Sequence, residues 1–229
     1  MPSYCSRRGV LVFVTWIWMF AGLLATILLI ACVKGVSLAV EQLIDMLGRE
    51  PYLASYAEVI GVGALPLIIS LACKDDFRIY GLTREGLTKS LAASTLMASA
   101  ILLMRALHEN SVFHSFNLRF PYNIWYAFLG VFAYGPLEVF FVVWLIVNTD
   151  RALNCLKSVF SPGLIITVLA FGLSHVVFSQ GGVVNAIKVT TIFFILSLIF
   201  KRTGNSIGPM IAWTLINRQV SYLLMGCLM

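Results

Sequence analysis

Charged residues are scarce in this chain. Asp, Glu, Lys and Arg make up 11% of its 229 residues, whereas a soluble domain carries about 25%. Hydrophobic residues make up 60% and are gathered into long runs. Short segments that alternate apolar and polar residues, the pattern of an outer-membrane barrel strand, are absent. The composition therefore predicts an all-α, polytopic transmembrane helical bundle, and it argues against a soluble globular enzyme.

Cysteine patterns that would hold a metal or staple a fold are also missing. The five cysteines are scattered, with no CxxC pair, so we expect them to pack or to lie at the interface, with no zinc site and no disulfide framework. No GxGxxG sequence and no P-loop occurs, which argues against nucleotide use. The net charge of +6 comes mostly from Lys and Arg in short loops, so the sequence predicts the lipid bilayer, and not nucleic acid, as the partner of these charges.

Seven hydrophobic segments predict about seven membrane spans, since about 20 apolar residues cross a bilayer. They are residues 10–33, 52–73, 87–106, 123–148, 162–178, 183–200 and 206–228. Residues 34–51 mix acidic and apolar residues and predict a short amphipathic helix at the membrane surface. We divide the chain into an N-terminal part, residues 1–76, with two spans and this surface segment, and a core, residues 77–229, with five spans.

The basic residues predict the orientation of these spans. Ten Lys and Arg residues fall on the side of the N-terminus and four on the other side, which predicts a multi-pass protein of the cell membrane with its N-terminus inside. The ten are Arg7, Arg8, Lys74, Arg78, Arg84, Lys89, Arg151, Lys157, Lys201 and Arg202, and the four are Lys34, Arg49, Arg105 and Arg119.

One charge lies in the middle of the fourth predicted span. Residues 123–148 contain Glu138 and no other charged residue. A charged group at the centre of a bilayer costs roughly 2.5–3.5 kcal/mol on insertion scales. Such a residue needs a partner, a proton or a function, and a polar residue at the same depth in another span would be a partner.

His175 in the fifth span and Asn217 in the seventh are the candidates. Counted from the span ends on the N-terminal side, at 1.5 Å per residue, these two residues and Glu138 lie roughly 15–21 Å above the same surface. We therefore expect three polar side chains from three helices to meet at one level.

The chemistry of this set fits hydrolysis. A carboxylate beside an imidazole can activate a water molecule as a general base, and an Asn amide can donate to the oxyanion of a tetrahedral intermediate. The same pair also fits self-neutralisation between packed helices or a proton relay, and Asn217 fits helix–helix packing. Spacing alone leaves these interpretations open. A zinc ion is possible but not favoured, because one His and one carboxylate are fewer ligands than zinc sites use.

Three neighbouring features bear on this level of the membrane. Gly135-Pro136, just before Glu138, predicts a loosened helical turn that frees backbone carbonyls and admits water. Glu58, two turns into the second span, is expected near the interface. Lys188 in the sixth span is expected to snorkel or to face a wet groove.

Three short motifs run through the same residues. The second is intact as Phe171-Gly-Leu-Ser-His175, which fits Phe-x-x-x-His. The first, Glu-Glu-x-x-x-Arg, is reduced to Glu138 followed by Val139, and its Arg is absent. In order and in span placement, they resemble the CAAX-protease and bacteriocin-processing (CPBP, Abi-like) family of intramembrane proteases, the relatives of the type II CAAX prenyl endopeptidases.

The third motif of that family, His-x-x-x-Asn or Asp, survives only in its last position. Asn217 is present, but Trp213 stands where the His is expected. The resemblance covers roughly residues 77–217 and implies an all-helical core of four spans in which Glu138 and His175 activate water. It also implies that the third motif holds the oxyanion, and here only Asn217 serves that role. Loss of one such donor typically costs about 10²–10³ in rate.

The resemblance implies an endopeptidase without a cofactor that cleaves a membrane-associated peptide or protein. Prenylated peptides, leader peptides and bacteriocins are the candidate substrates. The second Glu and the Arg of the first motif would form a charge pair, and their joint loss is self-consistent. Two further interpretations stay open: a family member that has lost its activity and acts as a membrane scaffold or chaperone, and a proton-coupled transporter-like protein.

Overall fold

A computed structural model describes residues 7–50, 52–108, 120–178 and 182–217. Within these ranges the regular structure is helical. The α-helices are α1 Arg8–Lys34, α2 Val40–Arg49, α3 Tyr52–Glu58, α4 Leu65–Ala72, α5 Leu87–His108, α6 Tyr122–Phe132, α7 Glu138–Ala152, α8 Pro162–Phe178, α9 Gly182–Thr203 and α10 Ile207–Ile216. Two π-helical segments, Val59–Ala64 and Ala133–Leu137, join α3 to α4 and α6 to α7, and a 3₁₀ turn spans Phe77–Tyr80.

Five helices are long and apolar enough to cross a membrane. They are Arg8–Lys34, Leu53–Ala72, Leu87–Leu107, Ala127–Ala152 and Gly182–Thr203, and they match predicted spans one to four and six. Two shorter apolar helices, Pro162–Val176 and Ile207–Ile216, fall in predicted spans five and seven; residues 218–228 lie outside the described residues. Within the described residues, the prediction of helical structure with several helices long and apolar enough to cross a membrane is confirmed.

Helix α7 lies at the centre of the bundle. All of its residues from 138 to 148 are buried, because α1, α8, α10 and the second π-helical segment pack around it. The sequence of this stretch has no polar face, and a helix that is apolar all round is buried in this way. The bundle therefore places Glu138, the first residue of α7, in its interior.

The two π-helical segments pack against each other. Gly63 in the first allows this approach, since a Cβ atom there would overlap the side chain of Leu137 in the second. Gly135 does the same for α10, because a Cβ atom there would overlap Thr214. These contacts bring α3 and α10 close to the start of α7.

The opposite end of α7 is held by a polar network. Arg8 donates to both carboxylate oxygens of Asp75, at 2.7 and 3.0 Å, and to Asn148 Oδ1 at 3.1 Å. Tyr80 donates its hydroxyl to Asp75 Oδ2 at 2.6 Å. Burial alone would raise the pKa of Asp75, but the hydrogen bonds from Arg8 and Tyr80 outweigh it, so the pKa lies below its usual value. The network ties α1, α4 and α7 together.

A second buried ion pair fixes the connection from α7 to α8 and α9. Lys201 Nζ lies 2.9 Å from Asp150 Oδ2, and Asp150 Oδ1 accepts from the Gly163 N–H at 2.9 Å. Asp150 thereby supplies an acceptor for an amide at the start of α8, where helices leave N–H groups without intrahelical partners.

Two remaining expectations concern the N-terminal part. The amphipathic segment predicted for residues 34–51 contains helix α2, whose Met46 packs against Ala31 and Leu53. The cysteine prediction is wrong at one position. Cys73 is disulfide-bonded, whereas Cys32 and Cys155 are free.

Candidate functional site

A cavity of about 910 Å³ lies beside the start of α7. Helices α1, α3, α5, α8, α9 and α10 contribute to its wall. Each of the five residues singled out as catalytic or supporting from the sequence, Glu138, His175, Asn217, Phe171 and Trp213, lines it. The structure thus brings together side chains that are up to 79 positions apart in the chain, from Glu138 to Asn217.

Glu138 lies between Trp213 and His175. Its side chain is 3% exposed. Oε2 accepts a hydrogen bond from the indole Nε1 of Trp213 at 2.6 Å, and Oε1 lies 4.0 Å from Nε2 of His175. The second distance is longer than a direct hydrogen bond of 2.7–3.2 Å, so the carboxylate and the imidazole adjoin each other with space beside them.

His175 is oriented by the residue one turn before it. Its Nδ1 lies 3.0 Å from the carbonyl oxygen of Phe171, so in the neutral ring Nδ1 is the donor and Nε2 the acceptor. The Phe171 ring meets the imidazole edge to face at a centroid distance of 5.0 Å. The four-residue spacing of Phe-x-x-x-His therefore has a physical function here, because it points Nε2 of His175 toward Glu138.

The turn before Glu138 is opened by Gly135-Pro136, as predicted. Residues Ala133–Leu137 are π-helical, and Tyr134 departs from helical geometry with φ −93° and ψ 16°. Proline has no N–H and cannot complete the helical ladder. Within this opened segment, the carbonyl of Tyr134 accepts from Asn217 Nδ2 at 3.3 Å. Asn217 thus lines the cavity while it satisfies a carbonyl of the opened turn.

Trp213 has a different role from that of the His it replaces in the motif. Sequence reasoning left its direction undecided, and the structure has its indole N–H bonded to Glu138. The ring packs edge-on against Phe193 at a centroid distance of 4.8 Å, and Phe193 packs in the same way on Phe171. This aromatic row fixes the indole, so Trp213 orients the carboxylate of Glu138.

Glu58 is the residue that sequence reasoning missed. It was expected near the interface, but it lines the same cavity as Glu138. In the structure, Glu58 precedes the end of α4 at Ala72 by 14 residues, and Glu138 precedes the end of α7 at Ala152 by 14 residues as well (72 − 58 and 152 − 138). At 1.5 Å per residue, each carboxylate lies about 21 Å along its helix from that end. This equivalence depends on where the helices end, so the structure shows it and the sequence alone does not.

Two cations also line the cavity. Lys188, expected to snorkel or to face a wet groove, lies in its wall on α9. Arg105 on α5 does so as well, and its Nη1 donates to the carbonyl of Ile216 at the end of α10. The cavity wall therefore combines two carboxylates, one imidazole and two basic side chains.

Helices α5 and α9 contribute exposed side chains to the cavity wall. The two helices are held together where α5 begins and α9 ends, because Asn205 Nδ2 donates to the carbonyls of Thr83 and Glu85 at 2.6 and 3.1 Å. Toward their other ends, Met104 on α5 and Ile187 on α9 line the cavity and are 57% and 62% exposed.

Within the described residues, no three His, Cys, Asp or Glu side chains are grouped as a metal site requires. No protein-family model, curated protein or solved structure matches the chain. The case for a function therefore rests on the geometry of the site.

Proposed function

We propose that this protein is an intramembrane glutamate-dependent endopeptidase, a divergent relative of the CAAX-protease and bacteriocin-processing family, that cleaves a peptide bond in a membrane-associated substrate. The observation that supports it most is the 4.0 Å separation of Glu138 Oε1 and His175 Nε2 inside a cavity of about 910 Å³. A cavity of this size accommodates several residues of a peptide, since small-molecule sites occupy about 300–1,000 Å³.

The two side chains suit the activation of water. A water oxygen about 2.8 Å from both Oε1 and Nε2 would form a triangle with them, with an angle of roughly 90° at the water. Ionised Glu138 would take one proton of this water as the oxygen attacks the substrate carbonyl carbon. Trp213 holds the other carboxylate oxygen through its N–H, which keeps Oε1 turned to the water.

Asn217 supplies the candidate oxyanion donor. Asn217 lines the cavity, and a side-chain amide is the type of donor that stabilises a developing oxyanion. Trp213 donates to Glu138 and not to the oxyanion, so the site offers fewer oxyanion donors than the family motif. We expect turnover about 10²–10³ slower than in a protein with both donors.

The test is cleavage of a library of quenched fluorescent peptides in lipid nanodiscs, in which each peptide contains one membrane-spanning helix. Wild type should release fluorescence, and Glu138→Gln and His175→Ala should not. Glu41→Gln, which changes an exposed carboxylate on α2, is the matched control and should cleave at the wild-type rate. Full activity in Glu138→Gln, or an inactive wild type, would contradict the proposal.

One observation favours a second function. The 2.6 Å bond from Trp213 to Glu138 occupies a carboxylate oxygen and replaces a residue of the family motif. A membrane scaffold or chaperone, or a proton-coupled transporter-like protein, is the corresponding alternative. If wild type cuts nothing while Glu138→Gln and His175→Ala lower the melting temperature, the cluster is structural. Proton uptake into proteoliposomes that Glu138→Gln abolishes would indicate the transporter.

The proposal includes seven spans in the cell membrane with the N-terminus inside, supported by the apolar helices α8 and α10 and by the distribution of Lys and Arg. A substrate anchored in the bilayer, with prenylated peptides among the candidates, would enter between α5 and α9. Epitope tags inserted after Ser37 and after Ser158 test the orientation, since both residues are exposed. Antibodies added to intact cells should bind the first tag and reach the second only after permeabilisation.

A further inference from the structure

One row of side chains on helix α9 faces the cavity and carries a lysine. Asn185, Lys188, Ile192 and Ile195 all line the cavity, and residues three or four positions apart lie on the same side of a helix. The two isoleucines lie toward the end of α9, and the amide and the ammonium lie toward its start. This row is therefore polar at the end where α9 begins.

Lys188 has no ion-pair partner within the part of the chain that the structure describes. None of the ion pairs there includes it, although Glu58 and Glu138 line the same cavity. A charge within a bilayer is costly, and such charges are usually paired or directed to water. Lys188 therefore has hydrogen-bond donors to offer to an anionic group that enters the cavity.

A second cation in the wall comes from α5. Arg105 lines the cavity and donates through Nη1 to the carbonyl of Ile216, which holds its guanidinium near the end of α10. An ammonium, a guanidinium and a side-chain amide all carry N–H donors. Arg105, Lys188 and Asn185 thus give the cavity a set of donors with two positive charges.

Lys188 lies a short distance from the level of the Glu138 carboxylate. Phe193 marks that level on α9, because its ring contacts Trp213 at a centroid distance of 4.8 Å and the indole N–H bonds to Glu138. Lys188 precedes Phe193 by five residues (193 − 188), which is about 7.5 Å along the helix axis. An extended peptide advances about 3.3 Å per residue, so this separation corresponds to about two residues.

Both cations lie on the same side of this level. A short turn joins α9 to α10, and Phe193 meets Trp213 on the two helices that leave this turn. Lys188 lies beyond Phe193 along α9, and Ile216, which holds Arg105, lies beyond Trp213 along α10. The positive charges are therefore displaced from the reacting carboxylate in one direction, away from the turn.

We propose that Lys188, Arg105 and Asn185 form a subsite that binds an acidic side chain of the peptide substrate about two residues from the scissile bond. This specificity rests on the proposed endopeptidase function. Charge-assisted hydrogen bonds are stronger than neutral ones and fix orientation. Glu58 and Glu138 repel the same side chain, so a substrate carboxylate is favoured only where the cations are nearer. The preference for an acidic residue therefore depends on its position in the peptide.

The experiment scans charge along one peptide. The library peptide that wild type cleaves fastest is remade with a C-terminal amide, so that only side chains carry acid. Glu, Gln or Lys is placed in turn at each of the three positions on either side of the scissile bond, and cleavage is measured in nanodiscs of neutral lipid. Wild type should cleave the Glu peptide about tenfold faster than the Gln peptide at neighbouring positions on one side. This is the lower end of what a hydrogen bond to a charged group contributes, because Lys188 is partly open to its surroundings.

Variants of Lys188 assign the preference to this subsite. Lys188→Met should cleave the Glu and Gln peptides at nearly equal rates, and it should cleave the Gln peptide as fast as wild type does. Lys188→Glu should reverse the preference and cleave the Lys peptide faster than the Glu peptide. Lys89→Met, which removes an exposed lysine near the start of α5, is the matched control and should keep the wild-type preference.

Three results overturn the subsite and leave the endopeptidase function in place. Wild type may show no position at which Glu is preferred over Gln, or Lys188→Met may keep the preference. The third result is a Lys188→Met that slows every peptide equally, because Lys188 then only balances the charges of Glu58 and Glu138. If Lys188→Glu does not fold, Lys188→Met decides alone. A wild type that cleaves no peptide overturns the endopeptidase function itself.

Discussion

Buried charged side chains at the two ends of helix α7 have different surroundings. At one end, Asp75 receives two hydrogen bonds from Arg8 and one from Tyr80, all within 3.0 Å, and Asp150 is paired with Lys201 at 2.9 Å. At the other end, Glu138 receives one from Trp213, lies 4.0 Å from His175, and shares a cavity with a second carboxylate. Matched pairs with short contacts stabilise helices. Two acids with space beside them leave room for a reactant.

The first prediction removes the carboxylate at the cavity end of α7. Glu138→Gln keeps the shape of the side chain and its acceptor for Trp213 but removes the base. We expect the rate of peptide cleavage to fall by about 10⁴-fold, which corresponds to a rise of about 5.5 kcal/mol in activation free energy. Initial rates of cleavage at saturating enzyme measure this change. The melting temperature should stay within a few degrees of wild type. If Glu138→Gln loses much of its stability but keeps its activity, the carboxylate is structural and the contrast between the two ends is contradicted.

The second prediction breaks the paired end. Arg8→Met removes the cation and leaves Asp75, whose side chain is 2% exposed, buried without it. Loss of one partner of a buried ion pair costs about 3–5 kcal/mol, so the midpoint of thermal unfolding should fall sharply. Arg7→Met, at the adjacent exposed position, is the control. Folded Arg8→Met should keep the wild-type rate of cleavage, and a selective loss of rate would contradict a purely structural role.

The third prediction separates orientation from chemistry at the cavity. Trp213→Phe keeps the packing on Phe193 but removes the N–H that holds Glu138. A hydrogen bond to a charged group contributes about 1.5–3 kcal/mol, so cleavage should slow by roughly tenfold to hundredfold. Single-turnover kinetics would measure it. A change in substrate affinity with the cleavage step unaffected would contradict the orienting role.

The fourth prediction concerns pH and the paired end alone. The folded protein lowers the pKa of Asp75, whereas the unfolded chain has the usual value of about 3.9. The unfolded state therefore binds the proton first as pH falls, so the contribution of Asp75 to stability is present above about pH 4 and is lost as pH drops through the lower, folded pKa. Melting temperatures measured from pH 7 to pH 3 should show this loss. Asp75→Asn should flatten that part of the curve, and an unchanged curve would contradict the assignment.

Most of the fold could be predicted from hydrophobic segments. The fifth hydrophobic segment, residues 162–178, is helix Pro162–Phe178, and predicted spans one to four and six differ from their helices mainly at the ends, where capping and fraying decide. The opened turn before Glu138 was also predictable, because Pro136 has no N–H to donate. The disulfide at Cys73 was not, because scattered cysteines give no local signal of which residues approach in space.

The candidate site was also predictable from the sequence only in part. Distance along a helix axis is fixed by residue number, at 1.5 Å per residue, so the sequence indicated that Glu138, His175 and Asn217 share a depth. It did not indicate which way each helix turns about its axis. That rotation depends on which side chains and glycines meet, such as Gly63 on Leu137, and it brought Glu58 into the cavity.

The sequence by itself determined the helical class of the protein and most of its helices, and it indicated that Glu138, His175 and Asn217 share a level, because apolar segments and the helical rise are local properties. Only the tertiary structure decided that Trp213 bonds to Glu138, that His175 Nε2 lies 4.0 Å from the same carboxylate, and that Glu58 joins them from another helix. Those contacts depend on how close-packed helices rotate against each other, and that packing involves the whole bundle.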